Sequence, residues 1–268
     1  MPYSELLSLV DRFAGRRVLL VGDFMLDRYV FGDAERISPE APVPVLRVLE
    51  RQDRVGGAGS VALDVLALGA HVRCIGMLGK DAFGDRVERF LIDAGADVVG
   101  MLRVDDRPTI TKTRLVGLAE HRHRQQILRV DDEIVRPPTP TDTSRLLEAV
   151  RSALTACDVV CLEDYDKGLL SPEFCRTVIA AAREQGKPVL IDPARMRAWE
   201  KYSRATLLTP NRAELELGVG RSLSEQEIDP ESRALIERLS LDALVVTLGR
   251  DGALLTPTGT VPLPDGRF

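Results

Sequence analysis

Five polar residues stand where short apolar runs end: Asp23 after "RVLLVG", Asp164 in "DVVCLED", Asp192 in "PVLIDP", Asn211 after "LLTP" and Thr247 in "ALVVTLG". If those runs are parallel strands of one sheet, all five line the same edge. Open α/β sheets bind ligands outside the carboxyl ends of their strands. An ionised carboxylate only accepts hydrogen bonds, which suits the hydroxyls of a sugar or nucleoside. Asp27 lies four residues beyond Asp23, so a turn would bring it to the same side. Each residue alone has a plainer reading: Asp23 caps a helix, and Asp192 shapes a turn before Pro193. Five at one edge are harder to dismiss.

A glycine cluster, "RVGGAGSVA" (54–62), adds a second feature. Gly57 to Ala62 fits the G-x-G-x-x-A form of a dinucleotide fingerprint. That fingerprint directly follows the first strand of a β-α-β unit. Here the preceding strand is 43–50, followed by polar "RQDR", and the first core strand runs into "GDFMLDRY" without a glycine triplet. The dinucleotide reading therefore fails on context. The chain also contains neither a P-loop nor the protein-kinase motif set. Two readings of the glycines stay open: close packing at a helix start, or a helix N-terminus whose amides meet a polar ligand. His121 and His123 in "EHRHRQQ" alternate as on a strand and would share a face. With no third ligand nearby, a solvated hairpin turn is the better reading than a metal site.

The elements that must position these residues alternate. Apolar runs at 17–23, 71–79, 158–164, 188–193, 205–211 and 243–249 read as buried parallel strands. Stretches at 59–70, 83–96, 141–156, 171–186, 211–220 and 229–240 have helical spacing. Ser171-Pro172 is an N-cap followed by proline at the first helical position, and Gly186 and Pro188 close that helix. The alternation predicts a mostly parallel sheet with helices on both faces. Residues 41–50, 107–117 and 125–133 are instead β-rich without intervening helices, which predicts a small separate sheet. Such a sheet has too little core to stand alone, so it must cover something or pair with another subunit. "RPPTPTDTS" (136–144) reads as the linker back to the main part.

Composition sets the frame. The 268 residues are 44% hydrophobic and 29% charged, with a net charge of −5. That balance is ordinary for a globular protein and argues against nucleic acid or an anionic membrane as the main partner. Cys74, Cys157, Cys161 and Cys175 form no C-x-x-C pair and read as free thiols in a reducing compartment. The first 15 residues lack the apolar core of a signal peptide, and no later run suits a membrane helix. The expected location is the cytoplasm.

"GGAGSVALDVLALGAHVRCIGMLGKDAFGD" closely resembles the N-terminal signature of the ribokinase-like (PfkB) sugar kinases, with Gly56, Gly57, Ala62, Gly69, Gly79, Asp81 and Gly84 in register. "LLTPNRAELE" resembles the family's N-x-x-E motif at Asn211 and Glu214, and "VVTLGRDGALL" its nucleotide-site strand and turn. One subgroup fits better than the rest. "GDFMLDRYVFGDAERISPEAPVPVLRV", "PTITKTRLV", "QQILRVDDE" and "EDYDKGLLS" resemble the D-glycero-β-D-manno-heptose 7-phosphate kinases of lipopolysaccharide-precursor (ADP-heptose) synthesis. The likeness runs from about residue 10 to the end of the chain.

The resemblance implies a three-layer α/β/α fold with a mainly parallel central sheet and an inserted β-sheet lid that often dimerises. The main part would be about 1–40, 54–106 and 134–268, and the lid about 41–53 and 107–133. It implies transfer of the ATP γ-phosphoryl group to the C1 hydroxyl of heptose 7-phosphate. Asp23, with Asp27 as a weaker candidate, would accept hydrogen bonds from the sugar, and Gly56, Gly57 and Ser60 would contact it. Lys112, Arg114, Arg36 and Lys167 are candidates for the 7-phosphate, against a plain solvent-exposed role for those on the small sheet. Asn211 and Glu214 would sit by the ATP phosphates, with Glu214 positioning Mg²⁺ through water. Asp192 would support that region, and Thr247, Gly249 and Gly252 would line the nucleotide.

Two departures stand out. The family's G-G-A-x-N usually has Asn where this chain has Ser60, a shorter side chain with fewer contacts to offer. The G-A-G-D motif, which carries the anion hole and the aspartate base, does not appear before Phe268. The expectation is a chain truncated before that motif and nearly inactive alone. Another ribokinase-like sugar or nucleoside kinase, or a non-catalytic sugar-binding remnant, are the alternatives, with a Rossmann oxidoreductase a distant third.

Overall fold

The computed structural model describes residues 8–117 and 124–258. Its strands are β1 (Arg17–Gly22), β2 (Phe24–Ile37), β3 (Pro44–Gly57), β4 (His71–Gly79), β5 (Asp97–Val104), β6 (Thr111–Gly117), β7 (Gln125–Asp132), β8 (Val159–Glu163), β9 (Val189–Asp192), β10 (Leu207–Leu208), β11 (Ala243–Thr247) and β12 (Ala253–Pro257). Its main helices are α1 (Ala58–Ala67), α2 (Ala82–Asp93), α3 (Pro140–Leu154), α4 (Pro172–Glu184), α5 (Arg212–Val219) and α6 (Glu225–Leu239).

The larger sheet runs in the order β12-β11-β10-β9-β8-β1-β4-β5. All its pairings are parallel except that of β12 with β11. β1 shows why the apolar runs become central strands. Its side chains alternate between two cores: Leu19 and Val21 pack with α3, α4 and α6, whereas Val18 and Leu20 pack with α1 and α2. Burial on both faces demands a continuous apolar run rather than an alternating one. The architecture is the expected α/β arrangement, a mostly parallel central sheet with helices on both faces.

Helix signals act as expected. Ser171 Oγ accepts from Phe174 N at 3.2 Å, with Pro172 at the start of α4. Gly220, at φ 88°, ends α5 in the left-handed region that glycine tolerates. One start is displaced: the reading placed it at residue 229, but α6 begins at Glu225 and carries Pro230 inside. Ser224 fixes that start: its N–H and its hydroxyl both donate to Glu227 Oε2, at 2.8 and 2.7 Å.

The second sheet has the order β3-β2-β6-β7, with β2 parallel to β6 and the other pairs antiparallel. Here the sequence reading needs correction. Residues 24–37, read with the main part, form a long strand of the small sheet, and β3 extends to Gly57. β2 and β3 thus run unbroken from the main core into the small sheet: Phe24, Leu26 and Val55 belong to the core around α1 and α2, while Ile37 and Leu49 are exposed. No helix among the described residues is long and apolar enough to cross a membrane.

Candidate active site

The strand order brings the five strand-end residues into one row. Along adjacent strands β11, β10, β9, β8 and β1 stand Thr247, Asn211, Asp192, Asp164 and Asp23. Neighbouring strands lie about 4.8 Å apart, so the row spans roughly 19 Å. Asn211 and Thr247 are joined by an isolated parallel bridge, which ties that end of the row together.

Asp23 directly follows β1 and is only 5% exposed. The backbone N–H groups of Tyr165 and Lys167 both donate to its Oδ2, at 3.1 and 3.2 Å. No donor among the described residues takes Oδ1. Asp23 instead lines a small cavity of about 20 Å³ with Gly22, Gly79, Arg107 and Lys167. Burial, and then the charge of Asp164, push its carboxyl up to about 6, so it is mostly ionised at neutral pH. The result is a pre-set acceptor with one oxygen held and the other available.

The glycine cluster is the seam where β3 meets α1. Gly57 has φ 59° and ψ −135°, and a Cβ there would collide with the Asp23 carbonyl. That carbonyl accepts from Ala58 N at 3.0 Å, which anchors the helix start to the Asp23 backbone. At Gly56 a Cβ would lie 2.6 Å from Asp27 Oδ2, so the Asp27 carboxylate rests on bare backbone. Close packing therefore explains both glycines. The dinucleotide reading fails in space as well: β3 is an antiparallel strand of the small sheet.

The small sheet brings cations to the same place. Asp27 pairs in register with Lys112, and Tyr29 with Arg114, which puts all four on one face. Arg114 Nη1 donates to Asp27 Oδ1 at 2.7 Å, and its guanidinium lies over the Tyr29 ring. Lys112 Nζ lies 5.6 Å from the centre of the Tyr165 ring. Burial, and then the nearby charge of Lys167, lower the pKa of Lys112. Lys167 in turn pairs with Glu133 at 2.7 Å. Cations and carboxylates thus alternate on this wall, with Lys167 paired to Glu133 and Arg114 to Asp27.

Other expected residues sit differently. Ser60 is exposed, and its hydroxyl donates back to the Val55 carbonyl at 3.1 Å. Arg36 lies nine residues beyond Asp27 on an extended strand, about 30 Å along it; it is exposed and is not brought to the site of its own chain. His121 and His123 lie outside the described residues.

At the other end of the row, Asn211 and Glu214 form a capping box at the start of α5. Asn211 Oδ1 accepts from Glu214 N at 3.0 Å, and Glu214 Oε2 accepts from Asn211 N at 2.8 Å. Burial, then the charge of Glu214, push Asp192 up to about 6. Burial and then Asp192 push Glu163 up to about 8. Gly249 (φ 63°) and Gly252 (φ 90°) flank the turn between β11 and β12 in backbone conformations suited to glycine. Among the described residues no three His, Cys, Asp or Glu side chains converge on a direct metal site. The oxygen donors Asp192 and Glu214 fit a hydrated, hard cation that arrives with an anionic ligand.

Sequence reasoning missed Arg107. It is 9% exposed, donates to the Pro137 carbonyl at 3.0 Å, and lines the Asp23 cavity, with its buried Nε making no hydrogen bond and lying 3.8 Å from Asp106 Oδ1. It also missed the grip of the Tyr165 and Lys167 amides on Asp23. The Asp and Gly pattern in "EDYDKG" after a strand was the available signal for a tight turn there.

Comparison with known proteins bears on nearly all of the chain. The model of the pfkB family carbohydrate kinases matches residues 16–266. The chain is 44% identical over 245 residues to the D-beta-D-heptose 7-phosphate kinase of Bordetella bronchiseptica, covering 91% of this chain and 75% of that one. It is 46% identical over 260 residues to the bifunctional protein HldE of Methylococcus capsulatus, covering 96% of this chain and 52% of that one. It thus spans about half the length of that bifunctional relative. Among solved structures, the tetrameric inhibited form of phosphofructokinase-2 from Escherichia coli superposes with a TM-score of 0.72 at 20% identity, over 93% of this chain and 81% of that one. Arabidopsis thaliana ribokinase complexed with ribose and ATP gives a TM-score of 0.69 at 21% identity, over 93% and 77%. The strand-edge row, the inserted sheet and a family match spanning nearly all residues agree: this chain belongs to the pfkB family of carbohydrate kinases.

Proposed function

We propose that the chain is the kinase part of a heptose 7-phosphate kinase, which transfers the γ-phosphoryl group of ATP to the C1 hydroxyl of D-glycero-β-D-manno-heptose 7-phosphate. The product is the 1,7-bisphosphate: a C1 oxygen–phosphorus bond forms as the bond from the γ phosphorus to the β–γ bridging oxygen breaks, ADP leaves, and the C1 hydroxyl gives up its proton to water. The observation that carries the reading is Asp23, a buried carboxylate with Oδ2 held by two amides and Oδ1 left for a ligand. The similarity to the Bordetella bronchiseptica enzyme supports the choice of sugar.

In this reading the sugar lies at the Asp23 end of the row, between the Gly56-Gly57 seam and the small sheet, which acts as a lid. Asp23 Oδ1 accepts hydrogen bonds from a sugar hydroxyl, and Asp27 lies beside it. Ser60 offers its hydroxyl once released from Val55. The substrate's 7-phosphate meets Lys112, Arg114 and Lys167, where the mutual repulsion of Lys112 and Lys167 is relieved by an incoming dianion. ATP occupies the other end, with Thr247, Gly249 and Gly252 along the nucleotide and Asn211 beside the phosphates. Glu214, supported by Asp192, would hold Mg²⁺ through water. Bound Mg²⁺ would neutralise phosphate charge during transfer. Such chemistry is mainly positioning and electrostatics, so an ordered row of donors and acceptors is the protein's main contribution.

The resemblance assigns the general base to a G-A-G-D motif that these 268 residues do not contain. Ligand binding is therefore the step that tests the reading. Calorimetric titration with heptose 7-phosphate is expected to show binding that Asp23→Asn abolishes while ATP binding persists. Equal binding by both proteins would overturn the assignment of Asp23. The reading also places the protein in the cytoplasm as a homodimer through the lid. The exposed apolar residues Ile37, Leu49, Leu128 and Val130 on the small sheet support the dimer.

A further inference from the structure

The turn that grips Asp23 is itself held from behind. Residues 164–168 follow β8 and carry the two amides that donate to Asp23. The Asp164 side chain is 1% exposed and forms an ion pair with Lys201 Nζ at 2.6 Å, whose own side chain is 6% exposed. The Tyr202 hydroxyl donates to the same oxygen, Asp164 Oδ2, at 2.8 Å. Asp164 Oδ1 accepts from Asp166 N at 2.8 Å, closing the turn on itself. Asp166 adopts φ 55°, the left-handed region that aspartate tolerates better than most non-glycine residues.

Lys201 and Tyr202 come from one short 3₁₀ turn, Glu200–Tyr202, far along the chain from Asp164. That turn is anchored at two further points. Lys201 Nζ donates to the Leu170 carbonyl at 3.1 Å, and the Tyr202 hydroxyl accepts from Ala194 N at 3.0 Å. Burial and then the Asp164 charge push the Tyr202 phenol up, which keeps it a donor. The arrangement is costly as a stability device, because a buried ion pair scarcely repays its desolvation. Its geometry specifies a position instead: each oxygen of Asp164 is tied, and the backbone that follows leads straight to Tyr165 N and Lys167 N.

We propose that Lys201 and Tyr202 are positioning residues that fix Asp164, and through it the 164–168 turn whose amides orient Asp23 toward its ligand. The proposal rests on the assignment of Asp23 to the sugar only for its effect on binding. Its effect on the turn stands apart from that assignment.

The test compares Tyr202→Phe, Lys201→Met and Lys201→Arg with the unaltered chain. Heptose 7-phosphate and ATP affinities are measured by calorimetry, and exchange of the Tyr165 and Lys167 amides by NMR. Tyr202→Phe and Lys201→Met are expected to weaken sugar-phosphate binding about tenfold or more. ATP affinity should stay unchanged, the two amides should exchange faster, and Lys201→Arg should restore both readouts. Tyr202→Phe keeps the ring volume, so it carries the test if Lys201→Met does not fold. Parallel loss of sugar and ATP binding, or unchanged exchange at both amides, would overturn the proposal. If the unaltered chain binds no heptose 7-phosphate, the functional reading fails, and amide exchange alone still decides whether these residues set the turn.

Discussion

Asp23 and Glu163 are neighbours on adjacent strand ends, and burial raises both carboxyls, to about 6 and about 8. Their consequences differ because one faces a proposed ligand. Sugar binding through Asp23 needs the ionised form, so affinity for heptose 7-phosphate is expected to fall as pH drops through about 6. A pH series of titrations checks this, and affinity flat between pH 5 and pH 8 would refute it. For Glu163 the folded state binds its proton more tightly than the unfolded chain does. Its contribution to stability is therefore full below the ordinary glutamate range near 4.5 and is lost as pH rises through about 8. Glu163→Gln is accordingly expected to raise the melting temperature above pH 8, with the advantage shrinking toward acid. Thermal melts at several pH values decide the matter. Asp23 and Asp192 were legible in the sequence as strand-end carboxylates. Glu163 was not singled out, because the apolar run 158–164 ends in sequence at Asp164, whereas β8 ends at Glu163, and nothing in the sequence tells which face Glu163 takes. The buried Arg107 escaped for a related reason: burial of a charged residue is set by neighbours distant in sequence.

Among the elements, the best-read segments carried their own punctuation. Ser171-Pro172 opens α4, and the N-x-x-E pattern at Asn211 and Glu214 is a capping box in space. That box gives these two residues a structural task whatever else they bind. Asn211→Ala is expected to cost about 1 kcal/mol of stability in urea unfolding, as cap removal usually does. The seam at Gly57 should be less forgiving. With φ at 59° and the Asp23 carbonyl in the way of a Cβ, Gly57→Ala is expected to lower stability by about 2 kcal/mol or more. The same substitution should disturb Asp23, so melts and sugar titrations should change together. β2 was the element the sequence hid. "FMLDRYVFGDAERI" has no single period, since its first residues enter the main core and its last project into the small sheet. One strand serving two environments shows neither a buried run nor a clean alternation.

At the scale of the molecule, alternation of apolar runs and helical stretches foretold a parallel sheet, but not the order of its strands. That order places Thr247 and Asp23 at opposite ends of one row, and it comes from packing between distant segments. The ion pair of Lys201 with Asp164 was hidden for the same reason. The small sheet was legible as β-rich sequence lacking crossover helices. Its exposed apolar side chains give the dimer its test: Leu128 and Val130 share one face of β7 and stand exposed. Sedimentation is expected to show a dimer that Leu128→Asp shifts toward monomer, and a monomeric parent chain would refute it. Whether the ligand is heptose 7-phosphate is decided by one comparison, calorimetric titration of the 268-residue chain with heptose 7-phosphate and with the same heptose lacking its phosphate. The phosphorylated sugar is expected to bind, and the other little or not at all. No binding of heptose 7-phosphate, or equal binding of both sugars, would contradict it.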